Sequence, residues 1–514
     1  MEFISHPLIA PNKVERRKYQ VNMANGCLRM SSLVVLPTGL GKTAIALMVA
    51  AEVLSNGQKV LMLAPTKPLV EQHHRSFSSM LSIEGIGIMT GHMAPDTRAK
   101  VVLENEFIVS TPQTVENDLE NGRYDLSGFG LVIYDEAHRG IGNYSYVTIA
   151  RHAVGILSLG LTASPGSDLK KIEEVCNNLS LSRIDIRSDE DADVAPYVHD
   201  TYVNKIEVNM PDDLAEISRL LRSLLNRYFD ELGMLRLTNP GWPVSMSHLL
   251  AIGDTLRKRM QQGERSTFVF RGLSVQSICI KILHAINLVE TQGTSSLRIY
   301  LKKLNDEAEG NPRNKGANEL VSNKEYIQAW RMASTTSVEH PKVSKVMSLV
   351  SQKINQDDRS KVLVFTQYRD TCDMLVEKIS LIPDARVGRL IGQSNGGLKQ
   401  KEQIEMLKRF ISGDFNVVVS TSVGEEGLDV TNTDAVIFYE PVPSEIRTIQ
   451  RRGRTGRRND GEVFVLVTKG TMDEVFANSS ETKEDLMRQR LRKLSDNLSR
   501  IGRIGTNFDQ TNLK

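Results

Sequence analysis

"LPTGLGKTAIA", residues 36–46, lies between a run of branched apolar residues and an apolar pattern of helical spacing. The stretch before it, "SLVVL" from Ser32 to Leu36, suits a buried strand of a parallel sheet. Gly39 and Gly41 free the backbone to turn tightly and to aim successive N–H groups into one concavity. Lys42 adds a mobile cation there, Thr43 adds a hydroxyl suited to a magnesium shell, and a helix running on from Ala44 points its N-terminus at the same place. A strand, a Gly-Lys-Thr loop and a helix in that order imply a cradle for a triphosphate. It would be formed by Leu36, Pro37, Thr38, Gly39, Leu40, Gly41, Lys42 and Thr43, with ATP and Mg2+ as the expected ligands. Leu36 departs from the strict pattern, which places glycine there.

The chain has 514 residues, more than one ordinary domain. Its 64 Lys+Arg against 62 Asp+Glu leave a net charge of +2, so any basic surface must be local. Cys27, Cys176, Cys279 and Cys372 lie far apart without paired spacing, which argues against zinc and against a disulfide framework and fits a reducing cytoplasm. No signal-peptide pattern opens the sequence, and no apolar run approaches the roughly 18 residues a bilayer span needs. The adjacent His73 and His74 point different ways on a helix and read as packing or solvated residues rather than metal ligands.

Strand and helix alternate from residue 30 to about 195, with strands expected at "KVLMLAP" (59), "FIVSTP" (107), "LVIYDEAH" (131) and "ILSLGLTASP" (156). This predicts a doubly wound parallel sheet. Between about 205 and 335 the strands give way to helical spacing, as in Leu214, Ile217, Leu221, Leu224 and Leu225, and "EGNPRNKGANEL" (309–320) reads as an exposed loop. Alternation resumes at "KVLVFTQ" (361), "FNVVVSTS" (415), "DAVIFYEP" (434) and "GEVFVLVT" (461). The expected division is 1–200 and 338–480 as two α/β domains, 201–337 as an all-helical insert, and 481–514 as a charged helical tail.

"IYDEAH" sets Asp135 and Glu136 at the carboxyl end of an apolar strand, where ligands of parallel sheets gather. Asp135 can hold the metal with Thr43, and Glu136 can orient and deprotonate the attacking water. Gln20 in "RRKYQ" precedes the phosphate loop and offers an amide able to pair with both edges of adenine. In "IQRRGRTGRR", where Gln450 opens the run, Arg454 and Arg457 supply forked guanidinium groups that can reach a γ-phosphate across a domain cleft. Such a split site turns nucleotide hydrolysis into domain movement, so something must be gripped. The candidates are Thr66, Lys67, Ser110, Thr111, Gln367, Ser420 and Thr421 at strand ends, each of which can equally be a helix cap. Further basic groups sit in the insert at Arg257, Lys258 and Arg259, then Arg271 and Lys281, then Arg298, Lys302 and Lys303.

The wording of "VLPTGLGKT", "DEAHRG", "LTASPG", "TSVGEEGLDV" and "FYEPVPSEIRTIQRRGRTGRR" resembles superfamily 2 helicases of the DEAH-box kind, specifically archaeal Hef and its Fanconi-anaemia M relatives, over roughly residues 5–480. The resemblance implies two RecA-like domains with a thumb-like helical insert. It also implies a 3′-to-5′ DNA-dependent ATPase that remodels forks and Holliday junctions, with branched DNA as its partner in the cytoplasm or nucleoid. By the same matching His138, Thr162 and Ser164 would couple the domains, and Gly427 and Asp429 would approach the nucleotide ribose. The nuclease and helix-hairpin-helix signatures of longer relatives do not follow residue 480, which implies a helicase-only member or a truncated chain. Backbone grips look alike for either polymer, so a double-stranded-RNA-dependent ATPase of the Dicer type stays open.

Overall fold

The computed structural model describes residues 2–166, 168–188, 191–197, 201–239, 244–310, 315–392, 398, 400–421, 433–442, 461–480, 482, 483, 486, 487, 489 and 490. A first sheet is formed by β1 (Ser32–Val35), β2 (Lys59–Leu63), β3 (Ile86–Met89), β4 (Phe107–Ser110), β5 (Phe129–Asp135), β6 (Leu157–Thr162) and β7 (Arg183–Ile186), in the order β3-β4-β2-β5-β6-β1-β7. All its pairings are parallel. Parallel strands need crossovers, supplied here by α2 (Lys42–Ser55), α3 (Lys67–Met80), α4 (Pro95–Glu104), α5 (Pro112–Glu120), α6 (Ser145–His152) and α7 (Leu169–Asn178), while α1 (Lys18–Arg29) leads into β1. The sheet is covered on both faces, by one apolar cluster built on α2 and α1 and another built on α5, α6 and α7.

Residues 201–208 correct the expected domain division. They form a strand, β8 (Thr201–Val208), that belongs to the second sheet rather than to the insert. Among the described residues, six helices of the insert then follow without a strand between them: α8 (Asp212–Met234), α9 (Met246–Gln261), α10 (Thr267–Thr291), α11 (Thr294–Glu309), α12 (Lys315–Val321) and α13 (Lys324–Thr335). The expected loop at 309–320 is shortened from both sides, because α11 runs to Glu309 and α12 starts at Lys315. A second correction concerns α10, which is long and apolar enough to cross a bilayer, with a mean hydropathy of 1.4 over its best window. Its apolar residues serve another end: Val275, Ile278, Ile282, Ile286 and Val289 are buried in the core that α10 shares with α8, α9 and α11.

The second sheet combines β8 with β9 (Val362–Phe365), β10 (Val387–Leu390), β11 (Val417–Ser420), β12 (Ala435–Phe438) and β13 (Gly461–Thr468), in the order β10-β11-β9-β12-β13-β8 and again all parallel. Helices packed with it include α14 (Pro341–Gln356), α15 (Arg369–Ile379) and α16 (Gln400–Ser412). Two RecA-like sheets separated by a helical insert are thus the observed fold. Buried polar contacts tie the insert to the second domain: Gln292 at the end of α10 donates to Glu440 (3.2 Å), and the buried Lys342 of α14 donates from Nζ to the Thr291 carbonyl of α10 (3.3 Å). Of the tail, Met487 is buried in the apolar cluster of the first sheet.

Candidate nucleotide site and polynucleotide edge

Register puts the key residues at one level. Val35 pairs with Thr162 and Leu161 with Asp135, so β1, β6 and β5 end side by side, and Leu36 N–H donates to the Thr162 carbonyl at 3.1 Å. The phosphate loop leaves β1 with Gly39 at φ 90° and Gly41 at φ 83°, the left-handed region that lets consecutive N–H groups converge. Gly41 caps α2, whose residues from Ile45 to Ala51 are all buried, so the helix start is fixed in place. Lys42 Nζ folds back to donate to the Leu36 carbonyl at 2.8 Å. Tyr19 Oη and Gln20 Nε2 both donate to the Leu40 carbonyl, at 2.7 and 3.0 Å, which clamps the loop against α1. Gln20 is almost wholly buried there.

Burial alone would raise the Asp135 carboxyl, but His73, Lys42 and the Glu136 amide outweigh it and hold the group below its ordinary value. His73 Nε2 donates to Asp135 Oδ2 at 2.8 Å. Tyr146 Oη donates to the Asp135 carbonyl at 2.5 Å and lies 3.3 Å from the Leu63 carbonyl, bracing the ends of β5 and β2. Glu136 takes a left-handed backbone at φ 50°, a conformation an ordinary residue keeps only where its surroundings enforce it. Its Oε2 lies 3.4 Å from His138 Nδ1, which in turn is 3.1 Å from Thr162 Oγ1, and Thr162 Oγ1 accepts from Ser164 N–H at 3.1 Å. Ser164 Oγ then meets Met487 Sδ at 2.9 Å. One run of contacts therefore links Glu136 through His138, Thr162 and Ser164 to the tail. A carboxylate held ionised close to Lys42, beside a Gly-Lys-Thr turn, matches the donor set that a magnesium nucleotide requires.

The grip candidates divide. Thr66 and Thr111 occupy the N-cap positions of α3 and α5 without a side-chain cap hydrogen bond; Lys67 stands 3.8 Å from Glu71, Thr111 Oγ1 meets Thr114 Oγ1 at 2.7 Å, and Gln367 is exposed beyond the end of β9. Ser110, Ser420 and Thr421 are buried; the two serine hydroxyls donate to backbone carbonyls, and Thr421 N–H donates to the Leu390 carbonyl. On the insert, Arg257, Lys258 and Arg259 are exposed at the end of α9, although Arg257 also meets Asp254 at 3.0 Å. Arg271 and Lys281 are tied instead to acids, Arg271 to Glu231 and Glu319 and Lys281 to Glu307. Gly427, Asp429, Gln450, Arg454 and Arg457 lie outside the described residues. His73 is the functional candidate the sequence reading passed over, although Val70, His73 and Phe77 share the inward stripe of α3 and that spacing marks it as buried.

Three families match consecutive stretches: "Type III restriction enzyme, res subunit" over 13–167, "Putative ATP-dependent RNA helicase, helical bundle" over 213–340, and "Helicase conserved C-terminal domain" over 341–459. Among solved structures, the helicase domain of Pyrococcus furiosus Hef is 41% identical with a TM-score of 0.72, covering 92% of this chain and 100% of that one. A Methanocaldococcus jannaschii protein named "Putative ATP-dependent RNA helicase MJ1505" is 37% identical over 96% of this chain and 63% of its own length. The chicken Fanconi anemia group M protein is 31% identical over 93% of this chain and 26% of its own length. The chain thus spans less than two thirds of these longer relatives, and its matched regions are those of ATP-hydrolysing helicases. Full coverage of the Pyrococcus domain at this identity places the chain in the Hef and Fanconi-anaemia M family of superfamily 2 helicases, in its helicase region.

Proposed function

We propose that the chain is an ATP-driven translocase that remodels branched DNA, stalled forks and Holliday junctions among them, moving 3′ to 5′ in repair and replication restart. The observation that carries this reading is the alignment of phosphate loop, Asp135–Glu136 and Thr162 at the ends of three neighbouring strands, with half-buried Thr66, Lys67 and Thr111 following the ends of β2 and β4 in the same sheet. In this reading Gln20 recognises adenine, Lys42 and the loop amides bind phosphate, and Thr43 and Asp135 hold Mg2+. When bound, Mg2+ supplies charge neutralisation on the β- and γ-phosphates. Glu136 takes the proton of the attacking water, while Arg454 and Arg457, with Gln450, complete the site from the second domain and Gly427 and Asp429 contact the ribose. His138, Thr162 and Ser164 relay the state of the site between domains. Arg257, Lys258 and Arg259 meet one strand of a branch through its phosphates, reading shape rather than sequence.

Glu136→Gln tests the chemistry: nucleotide affinity should stay within a few-fold while turnover falls by about 10² or more, and near-normal turnover would remove Glu136 from the mechanism. The polymer is tested by ATPase stimulation with matched fork, duplex and single-stranded forms of DNA and RNA. Two matches carry RNA in their names, which favours RNA as the polymer of the second reading. Stimulation greatest with forked DNA supports the proposal; stimulation by RNA alone replaces it with the second reading.

A further inference from the structure

α3 joins two places that the mechanism uses. Its cap and first residue are Thr66 and Lys67 at the polynucleotide edge, and His73, almost two turns on, donates from Nε2 to Asp135 Oδ2 at 2.8 Å. The His73 and Asp135 side chains are only 9% and 12% exposed, so the contact is shielded from water and geometrically fixed. Packing leaves the imidazole little freedom: its ring meets Phe77 edge-on at 6.4 Å, and Phe77 stacks on Phe107 of β4 at 4.7 Å. The next residue, His74, pins the other side of the helix through the Ile86 carbonyl at 3.2 Å. A displacement at the start of α3 therefore moves the imidazole that holds Asp135.

We propose that His73 is a positioning residue: it sets the Asp135 carboxylate for Mg2+ and carries to it the engagement of a polynucleotide phosphate at Thr66 and Lys67. This rests on the function proposed above, in which α3 starts at the grip and Asp135 holds the metal. One N–H fixes one carboxylate oxygen and leaves the other for the ion. Groups that hold a metal ligand in place typically change metal affinity or activity about 10- to 100-fold when removed.

The test compares His73→Leu, which fills similar space without a donor, with His73→Gln, whose amide N–H can replace Nε2–H. Binding of a fluorescent ATP analogue is titrated with Mg2+ and repeated in EDTA, and ATPase is measured with and without forked DNA. The leucine variant should need about ten-fold more Mg2+ or beyond for half-maximal binding, bind nucleotide normally in EDTA, bind DNA normally, and lose DNA stimulation; glutamine should restore both Mg2+ dependence and stimulation. Wild-type Mg2+ dependence in the leucine variant overturns the positioning role. Equal loss in both variants, together with lowered thermal stability, overturns it in favour of packing. A raised Mg2+ requirement with stimulation intact overturns the relay along α3. Failure of the wild type to respond to any polynucleotide refutes instead the function on which the proposal rests, an outcome read from the unmutated chain.

Discussion

Gly41→Ala isolates how the phosphate loop is held. Gly41 sits at φ +83°, and a Cβ there would lie 2.2 Å from Gln20 Nε2. The left-handed backbone costs a side-chain-bearing residue about 1–2 kcal/mol. Relieving the clash requires Gln20 to leave the Leu40 carbonyl, which it meets at 3.0 Å, and a lost hydrogen bond adds about 0.5–1.5 kcal/mol. Together these come to roughly 1.5–3.5 kcal/mol, and because each 1.4 kcal/mol is tenfold, ATP affinity should fall roughly 10- to 300-fold if the loop bears the whole cost. Gly57→Ala at the other end of α2 is the matched control, with a similar φ of +74° but nothing within 4 Å of the added carbon. Titration with a fluorescent ATP analogue should show the loss in the first variant and a change within about two-fold in the second. ATP binding in Gly41→Ala within two-fold of wild type would refute the account of the clamp between Gln20 and the loop.

His340 accepts from Lys342 N–H on Nδ1 (3.3 Å) and donates from Nε2 to the Glu290 carbonyl (3.0 Å), so its neutral form is built into the junction of α10 and α14. Burial first, then Lys342, depresses it from 6.5 to about 3. A base depressed on folding stabilises fully above its unfolded value and loses that stability as pH falls from about 6.5 towards 3, at about 1.4 kcal/mol per unit. His340→Gln should therefore flatten the fall in thermal stability between pH 6.5 and about 4.5; a profile parallel to wild type would sink the assignment. Cys27, Cys176, Cys279 and Cys372 are all buried, with burial pushing each thiol up to about 12. A disulfide reagent at pH 8 should label them only after denaturation, and rapid labelling of the folded chain would contradict their placement.

What the sequence revealed of the fold follows a physical divide. Every interior strand, β1, β2, β4, β5, β6, β9, β11, β12 and β13, was legible as an apolar run, because a strand with neighbours on both sides and helices on both faces has to be apolar. The four that escaped, β3, β7, β8 and β10, are the four sheet edges. Edges are short or charged, as in "RIDI" and "VGRL", and polar edge strands resist unwanted pairing. At the site, residues joined by adjacency in sequence were readable: the loop from 36 to 43 and the pair Asp135–Glu136. His73 was not, since its partner lies 62 positions away. Nor could a serine at a strand end declare whether its hydroxyl faces outward or, like Ser110 and Ser420, turns into the backbone.

The first strand of the second sheet to leave the ribosome is the last to find its partner. β8 ends at Val208 and β13 begins at Gly461, so at about 5–20 residues per second synthesis leaves β8 unpaired for roughly 10–50 s. Its composition suits that wait, because Lys205 and Glu207 stay exposed even in the finished sheet, where Lys469 arrives to meet Glu207 at 3.0 Å. In the interval the insert can close its own core, since the strand feeding into it and α14 leading out of it both belong to a sheet completed later. Moving the charges of β8 inward, or making that strand apolar, should therefore damage yield during synthesis far more than it alters the finished protein.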